Sequence, residues 1–178
     1  MVINHMGREL SWRVTWLGPA HAGKATCLRY IHAFYGVRQE RGIPVIERPS
    51  YHLWFHFMPR VAPIRGYAVR LEMQTLTGEV DASAWAPALA GVDGVVFVAD
   101  SDPARLSENL RVRELSSALD VPCVFLFNKR DRADALSLAD LTARLDVRDA
   151  ECIEGIATEG RGVLGALDAS MASMRVGA

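Results

Sequence analysis

An α/β fold is predicted, with an open, mixed but mostly parallel sheet of six strands and helices on both faces. Three observations carry this. GVVFVAD (94–100) and VPCVFLFN (121–128) are near-continuous apolar runs, as expected of strands buried on both faces of a parallel sheet. Strand-like and helix-like segments alternate from end to end. A glycine-bearing loop beginning at Gly18 follows a strand-like stretch and opens a helix, the usual place for a ligand crevice in such sheets.

Taken in order, WRVTWL (12–17) alternates large apolar with polar residues and reads as the first strand. A helix follows the loop over 23–34 and closes before Gly36. GIPVIERPS (42–50), with two prolines, is a loop, and YHLWFHFM (51–58) is an aromatic-rich second strand. RGYAVRLEMQT (65–75) is a third strand, pairing with the second as a hairpin across Pro59 and Gly66. TLTGEVDASAWAPALAG (75–91) is a loop leading to a short helix that Pro87 interrupts or ends. Between the two apolar strands, SENLRVRELSSAL (107–119) continues a helical spacing set by Leu106, Leu110, Leu115 and Leu119. SLADLTARL (137–145) is a further helix, ECIEGIA (151–157) a short last strand, and GVLGALDASMASM (162–174) a closing helix.

At 178 residues, half of them apolar, the chain fits a single domain (1–178) able to bury a core without metals or disulfides. A formal charge of -1 with neither half strongly basic argues against a nucleic-acid surface or a polybasic membrane patch. Cys27, Cys123 and Cys152 are odd in number and far apart, so they read as reduced core residues. No apolar run approaches the roughly 20 residues that span a bilayer, and the first residues lack a signal-peptide layout. A soluble cytoplasmic protein is expected. Met6-Gly7-Arg8-Glu9-Leu10-Ser11 matches a myristoylation pattern, but it is internal and reads as chance.

GPAHAGKATCL (18–28) resembles a phosphate loop, in which consecutive backbone N–H groups wrap phosphate oxygens at the start of a helix whose dipole favours anions. Gly18, His21, Ala22, Gly23, Lys24, Ala25 and Thr26 are the candidate phosphate-binding residues, with Lys24 placing its ammonium against the outer phosphates. The same letters also fit a plain strand-to-helix turn with a solvated lysine. Asn128-Lys129-Arg130-Asp131 follows an apolar strand directly, at the carboxyl end where the crevice is expected. There the Asp131 carboxylate can accept from guanine N1–H and the exocyclic amine, and the Lys129 stem can cover the ring.

In carrying GPAHAGKATCLRYI, LWFHFMP, GVDGVVFVADS, FNKRD and EGIATEGRGV in that order, the chain resembles small GTPases of the Ras superfamily. It is most similar to the bacterial MglA-like branch, known from polarity and gliding motility. The resemblance implies the P-loop small-GTPase fold and GDP or GTP as the cofactor. It implies that Gly18, Gly23, Lys24 and Thr26 hold phosphates, Asn128, Lys129 and Asp131 the guanine, and the Ala157 backbone N–H the guanine oxygen. It also implies regulation by small roadblock-type partner proteins.

Several positions depart from that pattern. Ala25 stands where phosphate loops carry a Ser or Thr for magnesium, and His52 where a threonine would contact magnesium and the γ-phosphate. Thr75-Leu76-Thr77-Gly78 replaces the Asp-containing motif of most Ras relatives, although MglA-like proteins also have Thr there. Glu79 is the candidate catalytic residue, beside Lys24, where the family has Gln, and a carboxylate near a triphosphate is repelled and cannot donate an amide hydrogen bond. Tyr51 replaces an arginine that would neutralise charge, and Arg48 could substitute only from a shifted loop. Magnesium is a hard ion that prefers oxygen ligands, so Mg2+ binding and GTP hydrolysis are expected to be impaired unless waters replace the missing oxygens.

His52, Trp54 and His56 alternate with Leu53, Phe55 and Phe57 and so share one strand face. That face, flanked by Trp85, is the expected protein-partner surface on an edge strand. No cysteine or acid completes a metal site with these histidines and His21, so no metal centre is expected. Three readings stay open: a nucleotide-binding switch or scaffold with weak or absent hydrolysis, a pseudo-GTPase interaction module, and an active GTPase completed by a partner.

Overall fold

The computed structural model describes residues 1–36, 52–76 and 89–176. The elements are β1 (Val2–Asn4), β2 (Glu9–Leu17), α1 (Lys24–Phe34), β3 (His52–Phe57), β4 (Ala68–Leu76) and β5 (Gly94–Asp100). After them come α2 (Leu106–Ser116), β6 (Cys123–Asn128), α3 (Leu138–Arg144), β7 (Cys152–Glu154) and α4 (Val163–Val176). They form one open sheet in the order β3-β4-β2-β5-β6-β7. The β3–β4 pair is antiparallel, as the hairpin reading required, while β2–β4, β2–β5, β5–β6 and β6–β7 are parallel.

Among the described residues the sheet has seven strands because of β1, which the sequence reading did not anticipate. It pairs antiparallel with the first residues of β2, which starts at Glu9, three residues before the predicted strand. A strand this short carries no usable alternation. Backbone pairing and an ion pair from the Met1 amino group to Asp93 hold it instead.

Side chains alternate between two cores, one on each face. Trp12, Val14, Trp16, Val96, Val98, Val124 and Leu126 face α1 and α4, packing on Cys27, Leu28, Ile31, Leu167 and Met171. Leu17, Val95, Phe97, Ala99, Phe125 and Phe127 face the other way, toward Leu141 of α3 and the part-buried Val112 and Leu115 of α2. Every residue of β5 is buried, which is why its run is apolar on both faces.

Helix α2 departs from the leucine spacing read for it. It ends at Ser116, its fully buried residue is Asn109, and Leu110 is 40% exposed. Burial on that face goes to a polar side chain that serves the end of β5, described below.

Candidate functional site

The carboxyl ends of β2, β5 and β6 bring three sequence-distant motifs to one crevice. β2 ends at Leu17 and the chain turns at once through Gly18 into the loop that starts α1. Gly18 has φ +137, and a Cβ there would lie 2.1 Å from the Val98 carbonyl oxygen of β5, so no side chain fits. Gly23 has φ +104, and a Cβ there would lie 2.2 Å from Asn128 Nδ2. The second glycine is thus required by contact with the second motif.

Asn128 joins all three segments. Its Nδ2 donates to the Ala22 carbonyl of the loop at 2.7 Å, and its Oδ1 accepts the Ala157 N–H at 2.8 Å. Asn128 and Ala157 are both buried, so these bonds are sheltered from water. Ala157 follows β7 in the turn before α4, where the Ile156 and Arg161 backbones bridge.

Lys24 is buried, and its Nζ donates to the carbonyls of Gly18 (2.9 Å) and Pro19 (2.6 Å). Burial pulls its pKa from 10.5 down to about 8, with the neighbouring Cys27 opposing the shift. The first turn of α1 holds no acidic residue, and its N-cap, Gly23, makes no side-chain cap, so the positive helix end is left to the loop itself. Ala25 and Thr26 lie half-buried in that turn, and His21 is exposed with φ +62. Cys27 lies beneath the loop, and burial pushes its thiol up to about 12. On the outer side of the loop, Arg105 donates to the Ala20 carbonyl at 2.8 Å while paired with Glu108. No sequence pattern singled out Arg105.

At the base end, Lys129 has φ +65 and pairs through Nζ with Asp100 Oδ2 at 2.5 Å. Asp131 is exposed. Beside it Arg130 is tied to Glu154, and Arg132 to Asp102 and Asp134. Asp100 and Asn109 belong to this end and were missed in the sequence. The readable signal was a carboxylate closing an apolar strand and an asparagine inside a leucine-spaced helix.

The terminal-phosphate end has a different make-up. Thr75, at the position of the acidic residue in most Ras relatives, is fully buried and donates its hydroxyl proton to the Trp16 carbonyl at 3.0 Å. Ala25 offers no ligating atom. Among the described residues, no three His, Cys, Asp or Glu side chains gather as a metal site.

On the edge strand β3, Phe55 and Phe57 are buried, whereas Trp54 is 39% exposed and meets His56 edge-on at 5.5 Å between ring centres. Arg48, Tyr51, Thr77, Gly78, Glu79, Trp85 and the side chain of His52 lie outside the described residues, as do the predicted 42–50 loop and the helix stop at Pro87. Among the described residues, no helix is long and apolar enough to cross a membrane.

Comparison with known proteins agrees with this geometry. The chain is 33% identical over 180 residues to the mutual gliding-motility protein MglA of Myxococcus xanthus, with 94% of this chain and 92% of that protein aligned. Its fold superposes on the Arl6 (BBS3) small GTPase of Trypanosoma brucei, solved with the nucleotide analogue GppNp bound, at a TM-score of 0.68. That match covers 95% of this chain and 100% of the other at 20% identity. No family model matches.

Proposed function

The chain belongs to the MglA family of small GTPases of the Ras superfamily, and from that premise we propose that residues 1–178 act as one guanine-nucleotide-binding switch or scaffold in the cytoplasm, with weak or absent intrinsic GTP hydrolysis. The observation that carries this is Asn128, whose amide ties the phosphate loop at Ala22 to the Ala157 turn. In this reading Gly18, His21, Ala22, Gly23, Lys24, Ala25 and Thr26 surround the diphosphate. Asp131 reads the guanine edge, Lys129 covers its face, and the Ala157 N–H, which here donates to Asn128 Oδ1, is shared with the guanine oxygen on binding. The groups that would hold magnesium or polarise a water are the ones replaced. Ala25 and His52 in place of magnesium-contacting hydroxyls support impaired chemistry, and Tyr51 in place of Arg and Glu79 in place of Gln add to it, whereas Thr75 is shared with MglA-like proteins.

A second reading, an active GTPase completed by a partner, is favoured by the half-exposed Trp54 on an edge strand beside the terminal-phosphate end. Aromatic side chains on unpaired strand edges suit protein docking, and a roadblock-type regulator is the proposed occupant. Purified protein is denatured and its released base identified by chromatography, followed by thermal-shift titration with GDP and GTP with and without magnesium. Guanine release and a shift support the switch. No guanine and no shift mean an interaction module that does not use nucleotide. Multiple-turnover phosphate release by the protein alone overturns impaired catalysis, and release only with a roadblock-type protein establishes the partner-completed GTPase.

A further inference from the structure

We propose that Asp100 is a positioning residue of the base site: it anchors the Lys129 ammonium, so that the lysine stem is already laid across the place where the purine ring stacks. The inference rests on the guanine-binding reading above. Asp100 ends β5 and its side chain is fully buried. Four contacts fix it. Its N–H donates to Asn109 Oδ1 at 3.0 Å and its carbonyl accepts from Asn109 Nδ2 at 2.8 Å, so the buried Asn109 of α2 closes a two-bond ring on its backbone. Its Oδ1 accepts the Asp102 N–H at 3.1 Å, and its Oδ2 takes Lys129 Nζ.

A carboxylate with no exposure needs a cation, because an unpaired buried charge is strongly unfavourable. Lys129 supplies it, and Arg132, held by Asp102 and Asp134, faces the same carboxylate from farther out. Asp100 is the register partner of Asn128 across the parallel β5–β6 pair. Lys129, one residue beyond Asn128, must therefore reach back across the strand ends to meet it. The left-handed backbone at Lys129 makes that possible, sending Asn128 to the phosphate loop and Lys129 toward β5. A free lysine side chain loses considerable rotamer freedom on ordering, and one anchored beforehand loses less when a base arrives.

An ion pair that only supports the fold would weaken every ligand alike, whereas a positioning pair acts on the base and not on phosphate. The test compares wild type, D100N, K129M and D100N/K129M for GDP, IDP and pyrophosphate, by competition with fluorescent GDP. D100N lowers GDP and IDP affinity equally, by about tenfold, and leaves pyrophosphate within about twofold. D131N, acting on the base edge, lowers GDP more than IDP. In the K129M background D100N costs nothing further. K129M melts below D100N/K129M, because it leaves the buried carboxylate without its cation. Equal losses for GDP and pyrophosphate, or D100N and K129M effects that simply add, overturn the positioning role while leaving the guanine reading intact. Wild-type protein that binds no GDP overturns both.

Discussion

The two ends of the crevice are built to different standards. At the base and diphosphate end, polar side chains are buried and doubly bonded: Asn128 to two segments, Lys24 to two carbonyls, and Asp100 to Asn109, Asp102 and Lys129. At the terminal-phosphate end, among the described residues, the Ala25 side chain brings no polar atom, and the Thr75 hydroxyl is bonded to the Trp16 carbonyl. A buried polar side chain that finds its partners rigidifies its surroundings, whereas one left unpaired is costly. Among the described residues, the contrast lies between an end where buried polar side chains are tied to several segments and an end that brings few polar side chains to the crevice.

The sharpest way to break the comparison is Asn128→Ala. It removes two buried bonds and leaves the Ala22 carbonyl and Ala157 N–H without partners, so GDP affinity falls by about a hundredfold or more in calorimetry. A small loss would mean that the tie between motifs does not set the site. Next is the pH dependence of GDP binding. Lys24 has its pKa near 8, below its ordinary value, and a bound phosphate raises it again. Below about pH 8 the ammonium is present in free and bound protein alike, and affinity is flat. Above it the free lysine is neutral and must take up a proton on binding, so affinity falls by up to about tenfold per pH unit, and Lys24→Met abolishes the slope.

A smaller effect sharpens the other side. Ala25→Ser restores an oxygen at the loop, and GTP affinity should then tighten with magnesium by about tenfold when titrated with and without chelator. Wild type showing the same magnesium response would close the gap between the two ends. The smallest effect is expected for Trp54→Ala, where the half-exposed ring contributes under about 0.5 kcal/mol to stability and nothing measurable to GDP affinity. The same variant should lose binding to a roadblock-type protein in a pull-down.

Much of the fold, and the meeting of the glycine loop with the NKRD string, was legible in the sequence. The apolar runs gave β5 and β6, and the order of strands and helices gave the sheet. The glycine loop and the NKRD string fall at strand ends because such sheets put ligands there. Of the three cysteines read as core residues, Cys27 is buried, while Cys123 and Cys152 are part-buried against the second core. What was hidden has physical reasons. β1 is too short for periodicity to register and is held by backbone bonds that any sequence can make. The burial of Asn109 in place of Leu110 depends on a partner nine residues away, and spacing within a helix says nothing of what lies across from it. The left-handed backbone at Lys129 is likewise invisible in the letters, because lysine has no preference for it.

The Asn128–Ala22 bond also has a consequence in time. It joins residues 106 positions apart, so it cannot form until β6 has docked beside β5 and a long loop has been closed. Long-range parallel pairings of this kind are slow to form. A chain still emerging during synthesis therefore carries the phosphate-loop letters well before it carries a binding site. The nucleotide can stabilise only the finished protein, and its presence should draw late folding intermediates toward completion.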